Sequence, residues 1–210
     1  MSQSYDPNCR RCPRLSRFLD AVRAEEPTYF CKPVPPFGDA AARILVVGLA
    51  PGKHGANRSG RPFTGDYAGI LLYETLHRFG LASSPVSVSA DDALRLTGAR
   101  ITNAVKCLPP DNKPLPAEVS ACNAFLREEL ASSREARVIL ALGLVAHAAV
   151  LRACGLTPAR YRFAHGAEHA LDARRVLVDS YHCSRYNTNT RRLTTAMFQT
   201  VVGRAVDLAA

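Results

Sequence analysis

The feature that most constrains the fold is an alternation. Four short aliphatic runs, ARILVVGLA (42–50), RITNAVKC (100–107), RVILALG (137–143) and RRVLVDSYH (174–182), are separated by segments with helical spacing. Each run is dominated by β-branched or aliphatic residues and is too short for a stable helix, so each predicts a buried strand. DYAGILLYETLHRFG (66–80) predicts a helix that stops at Gly80, and PAEVSACNAFLREELASS (116–133) one that opens with Pro116 and Glu118. LVAHAAVLRACG (144–155) and TRRLTTAMFQTVVGRAVDLA (190–209) complete the set, the last with Leu193, Met197, Val201, Ala205 and Leu208 on one stripe. Strand and helix repeated four times predict an α/β fold: a three-layer α/β/α arrangement around a four-stranded parallel sheet, with right-handed crossovers. At 210 residues the chain suits a single domain. Residues 1–41, Pro-rich near FCKPVPPFGDAA, predict an irregular arm wrapped on that core.

In a parallel sheet of this kind ligands bind at the carboxyl ends of the strands. That rule gathers GLAPGKHGANRSG, Asn103, the turn at Gly143 and SYHCSRYNTNTRRLT on one rim. Twenty-seven Lys and Arg against eighteen Asp and Glu, a formal charge of +9, favour a polyanionic partner there, with nucleic acid first. No apolar run approaches the roughly 20 residues that cross a bilayer, and the first residues lack the apolar centre of a secretory signal, so a cytosolic protein is expected.

Seven cysteines cannot all pair within the chain, and in a reducing compartment clustered thiols point to metal. Cys9 and Cys12 form a CxxC; Cys107 and Cys122 bracket fourteen residues that include four prolines. Four thiolates suit zinc or an iron–sulfur cluster, and spacing alone does not choose between them. Cys31, Cys154 and Cys183 have no such partners.

The loop after the first run, GLAPGKHGANRSGRPFTGD (48–66), has the glycines of a phosphate-binding turn. Gly48 and Gly52-Lys53 stand one residue too close for a P-loop, and His54 replaces its hydroxyl residue; a dinucleotide GxGxxG is absent as well. What remains is a flexible backbone, one aromatic ring, Phe63, and the donors Lys53, His54, Asn57, Arg58 and Arg61. Such a loop suits a planar base lifted out of a nucleic-acid stack. The plainer reading is an irregular connection with Phe63 as a core plug.

Taken in order, GLAPGKHGANRSGRPFTGD, NAVKCLPPDNKPLPAEVSAC and SYHCSRYNTNTRRLT, with the four cysteines in step, resemble the three motif blocks of the family 5 uracil-DNA glycosylases. The resemblance covers nearly the whole chain. It implies the α/β/α fold, a [4Fe-4S] cluster on Cys9, Cys12, Cys107 and Cys122, and removal of uracil, and in some members other deaminated bases such as hypoxanthine, from DNA. It implies that His182 donates to the base O2, that Asn103 reads the base edge and that Phe63 stacks on the ring. Gly48, Ala50, Gly52 and His54 would then line the base and sugar. Ala50 stands where related families carry a polar or acidic residue that positions water, which leaves Asn57 and Asp66 as candidates for that task. Asp66 has a rival role as N-cap of the helix that follows. Arg185 and Tyr186 could fill the gap left by a flipped nucleotide, and Arg191 and Arg192 could meet phosphates. Cys183 and Arg191 replace the proline and glycine usual in this motif. The expected protein is a monomeric glycosylase acting on double-stranded DNA; the alternative is a non-catalytic lesion-binding module, suggested by Ala50.

Overall fold

The computed structural model describes residues 5–210. Its sheet has six strands: β1 (Phe37–Gly38), β2 (Ile44–Gly48), β3 (Ala99–Asn103), β4 (Val138–Leu142), β5 (Glu168–Ala170) and β6 (Val176–Ser180), in the spatial order β1-β3-β2-β4-β6-β5. The four central strands are parallel and correspond to the four aliphatic runs, trimmed at their ends. β1 and β5 add short antiparallel edges that the sequence reading did not contain. Both are too short to show a period-2 pattern.

The chain moves from β2 to β3 on one side and then to β4 on the other. The order therefore reverses around β2, which puts the switch point of the sheet between β2 and β4, where ligands bind in folds of this kind. Alternation along β2 sorts the layers: Ile44 and Val46 join one core cluster, Leu45 and Val47 the other. The first face is covered by α3 (Tyr67–Arg78) and α7 (Thr195–Ala209), the second by α4 (Pro116–Ser132) and α5 (Leu144–Ala153).

Two expectations need correction. The N-terminal segment is not irregular throughout: α1 (Pro13–Glu25) is a 13-residue helix that buries Leu15, Leu19 and Val22 on one face. Pro13 at its first position supplies a preset φ where no N–H is needed. The last helix begins at Thr195, not at 190, because Thr194 caps it, its hydroxyl accepting from Met197 N at 3.2 Å. Residues 185–189 instead form a separate short helix, α6 (Arg185–Asn189), and Arg191 has φ +56°, a left-handed conformation that interrupts any continuous helix. Among the described residues no helix is long and apolar enough to cross a membrane.

Candidate active site

Strand register builds the rim. Gly48 pairs with Asn103, and Gly143 N donates to Ser180 O at 2.8 Å, so the ends of all four parallel strands lie side by side. Gly48 is glycine because of what presses on it. A Cβ there would overlap Asn103 Oδ1 and come within 2.6 Å of the Phe63 ring. Side chains essentially never approach so closely, so Gly48 lets a strand amide and an aromatic ring converge over its backbone.

Phe63 is 6% exposed and has φ +55°, and its ring lies 5.9 Å from that of His182 at an interplanar angle of 29°. The ring is therefore both a core residue and one wall of the rim. Sequence reasoning missed what holds it: Gly69, in the first turn of α3, where a Cβ would run into the Phe63 carbonyl. The available signal was a glycine inside a helix, which is unfavourable by about 1 kcal/mol unless something needs the space.

Asn103 is buried and its Oδ1 has no hydrogen-bond partner. A buried amide oxygen left unpaired costs free energy on the order of 1–3 kcal/mol, so it is suited to a donor that arrives with a ligand. His182 is half-buried, and burial lowers its pKa to about 4. Its ring is thus neutral near pH 7 and carries one N–H donor. Its carbonyl is fixed by Asn187 Nδ2 at 2.8 Å, a positioning residue that the sequence reading did not single out.

Asp66 does two things. Its Oδ1 accepts from Gly69 N at 2.8 Å and so caps α3. Its Oδ2 faces the glycine loop, 2.5 Å from where a Gly55 Cβ would be and 3.7 Å from that of Gly52. Burial raises its pKa, and the cap hydrogen bonds oppose the rise. A cleft of about 720 Å³ opens beside it, lined by Gly52, His54, Asp66, Tyr67, Ile70 and Arg185 among others. Ala50 is half-buried at the loop's start and packs against the second core cluster.

Asn57 and Arg61 turn away from the cleft. Asn57 is fully buried on α2 (Ala56–Ser59), and its Nδ2 donates to Cys31 Sγ at 3.4 Å, fastening the loop to the N-terminal segment. Its Oδ1 has no partner. Arg61 is buried in a structural network, donating to Asp92 at 2.5 Å and to Ala90 O at 2.6 Å, with its guanidinium over Phe37. Lys53 pairs with Glu25, and His54, exposed at the cleft edge, bonds Tyr29.

On the opposite side of the cleft, Ser184 caps α6. Arg185 lies over the Tyr67 ring at 5.0 Å, Tyr186 is 70% exposed, Arg191 is exposed, and Arg192 lies over Tyr181. Cys183 is fully buried; burial raises its pKa, with the Asp66 charge adding to the rise.

Cys9, Cys12, Cys107 and Cys122 come together from the chain before α1, the loop after β3 and the body of α4. All four are free thiols lining one small cavity with Leu15, Val105 and Phe125. Burial raises the pKa of Cys12, Cys107 and Cys122, and the neighbouring cysteines add to the rise at each. Lys106 N donates to Cys122 Sγ at 3.3 Å.

The sequence model of the Uracil DNA glycosylase superfamily matches residues 35–205. The chain is 49% identical to the type-5 uracil-DNA glycosylase of Thermus thermophilus over 207 residues, 96% of this chain and 94% of that protein. It is 46% identical to the type-5 uracil-DNA glycosylase of Pyrobaculum aerophilum, over 94% of this chain and 88% of that protein. Against the type-4 uracil-DNA glycosylase of the same organism the identity is 34%, over 70% of this chain and 62% of that protein. With its fold, its rim and a match over most of its length, the chain belongs to the uracil-DNA glycosylase superfamily.

Proposed function

We propose that this protein hydrolyses the N-glycosidic bond of uracil in double-stranded DNA as a monomer, leaving an abasic site. The observation that carries the reading is the convergence over Gly48 of an unpaired Asn103 oxygen and the Phe63 ring, with the neutral His182 imidazole 5.9 Å from that ring. The scissile bond breaks toward a cationic sugar and an anionic base, so catalysis requires a donor aimed at the leaving base and an environment that tolerates the cation. His182 supplies the N–H donor. Asn103 accepts from the base N–H and thereby selects uracil over bases with a different edge, while Phe63 stacks on the ring. Asp66, with Oδ1 committed to the cap, has Oδ2 free to orient water or to stabilise the sugar cation. The departing base carries the negative charge, so no strong general base at Ala50 is needed.

The cysteine quartet fits a [4Fe-4S] cluster better than zinc. A tetrahedral zinc with bonds of about 2.3 Å gathers its sulfurs to roughly 3.8 Å of one another. Among the described residues the single group of donors gathered within 4.8 Å is elsewhere in the molecule, so the four sulfurs stand wider than a zinc site needs. When bound, a cluster would supply a covalent tie between the segment before α1, the loop after β3 and α4.

The test is incubation with duplex DNA holding one uracil, followed by alkali. Strand scission at the uracil is expected. Retention of the DNA without scission would instead support a lesion-binding module. Iron and sulfide analysis of the purified protein tests the cluster independently.

A further inference from the structure

We propose that His147, His169 and Asp179 form a binding site for one divalent transition-metal ion, with zinc the best-suited occupant. The site is separate from the base-binding rim and contains no cysteine. The three residues come from α5, β5 and β6, and one ligand atom from each lies within 4.8 Å of the other two. Asp179 Oδ1 is 2.9 Å from His147 Nδ1, and its Oδ2 is 3.1 Å from His169 Nε2.

The tautomer of His147 carries the argument. Its Nε2 is 3.1 Å from the Tyr161 carbonyl oxygen, which only accepts, so Nε2 bears the hydrogen. In a neutral ring Nδ1 then presents a lone pair, and that lone pair points at a carboxylate oxygen. Two lone pairs at 2.9 Å repel, so a cation must lie between them, either a proton on Nδ1 or a metal ion. A divalent ion satisfies both imidazoles and both carboxylate oxygens at once. An imidazole whose second N–H is held by a backbone carbonyl is the usual second layer of a metal site. Two imidazoles and one carboxylate match zinc, with bonds of about 2.0–2.2 Å. Tetrahedral edges for such bonds are about 3.3 Å, so the two imidazole–carboxylate separations need widen by only a few tenths of an ångström, and the third lies within the 4.8 Å that spans the group.

The surroundings agree. His147 and Asp179 are buried, whereas the His169 side chain keeps 14% of its surface, which leaves an entry path at the edge of the sheet. The Phe163 ring meets that of His147 and the Tyr161 ring that of His169, both edge-on. An ion here would tie an edge strand, a core strand and a helix directly behind His182, three residues after Asp179.

Cobalt(II) and zinc titration of the full-length protein tests the proposal. The wild type is expected to take up about one equivalent of cobalt with d–d absorption and no thiolate charge-transfer band, as nitrogen and oxygen ligands dictate. His169→Gln, at the most exposed ligand, should lose that equivalent, and zinc should raise Tm in the wild type but not in the variant. Equal metal content and equal Tm response in the two proteins would overturn the site and leave a shared proton between His147 and Asp179. If the variant does not fold, the wild-type cobalt spectrum decides alone: no thiolate-free band, no site.

Discussion

The two halves of the rim are built on opposite plans. The loop from Gly48 to Asp66 is locked: Asn57 and Thr64 are fully buried, Arg61 is spent on Asp92 and Ala90, and Phe63 is pinned against Gly69. The segment from His182 to Leu193 begins from one fixed point, the Asn187 contact to the His182 carbonyl, and then sends Arg185, Tyr186, Arg191 and Arg192 toward solvent. The difference matches two kinds of ligand. A flat neutral base rewards a pre-formed slot, because ordering the walls after binding would subtract from affinity. A phosphate backbone rewards cations at the surface, where neutralisation releases counterions.

Breaking the slot itself, where His182 at the fixed end of the second segment meets the locked loop, should have the largest effect. His182→Ala is expected to slow single-turnover uracil excision about 100- to 1,000-fold, the usual consequence of losing one donor to a developing anion. Duplex binding should change little. Gly48→Ala should follow at about 100-fold, since its methyl displaces Asn103 and Phe63 together and misplacement by about 1 Å is enough for such a loss. Wild-type rates from Gly48→Ala would show that the rim adapts rather than waits.

The neutral imidazole also has a pH signature. Because burial lowers the folded-state pKa of His182 to about 4, the unfolded chain binds more protons between pH 4 and the ordinary histidine value near 6.5. The stability from this group is full above about pH 6.5 and falls away as pH drops toward 4. Following the His182 ring resonances by NMR should place its midpoint near 4. A midpoint near 6.5 would mean that the donor is cationic for much of the physiological range.

The same division explains what was legible in the sequence. The four parallel strands and the helices after them were readable because burial on both faces of a sheet writes long aliphatic runs. The rim could be placed from topology alone, and the four cysteines could be grouped, because carboxyl-end geometry and CxxC spacing are local signals. The assignment of Arg61 as a ligand donor was different: whether an arginine meets solvent or Asp92 depends on a contact 31 residues away. Asn57 likewise faces Cys31, not the cleft, for reasons only packing reveals. The helix α1 has a sequence signal of its own, Leu15, Leu19 and Val22 repeating at i, i+4 and i+7 behind Pro13, and the prolines of FCKPVPPFGDAA mark only the stretch after it as irregular. The His147–His169–Asp179 group could not have been found, since its members come from three elements.

Sharpening the comparison on the exposed half calls for smaller effects. Arg192→Ala removes a cation that now rests over Tyr181. If it meets a phosphate in the complex, affinity should weaken across all sequences, and the slope of log K against log salt should fall in magnitude by about 1. Excision of an already bound uracil should keep its rate, because this side chain touches neither base nor sugar in the locked half. A loss confined to the rate, with an unchanged salt slope, would move Arg192 out of the DNA interface.

The smallest expected effect is at Arg191, and it separates fold from function most cleanly. With φ +56° this residue occupies a conformation that is unfavourable by about 1 kcal/mol for a side chain with a Cβ and free for glycine. Glycine also gains freedom in the unfolded chain, which takes back part of that gain. Arg191→Gly should therefore stabilise the protein by about 0.5 kcal/mol, a rise of roughly 1–2 °C in Tm for a chain of this size. Arg191→Ala keeps the strain and removes only the charge, so its Tm should stay near the wild type. Both variants should lose the same part of the salt dependence of DNA binding, because both lose the same cation. A Tm equal in the two variants would remove the strain from the account, and an unchanged salt slope in both would leave the arginine without a reason to stand where glycine is easier.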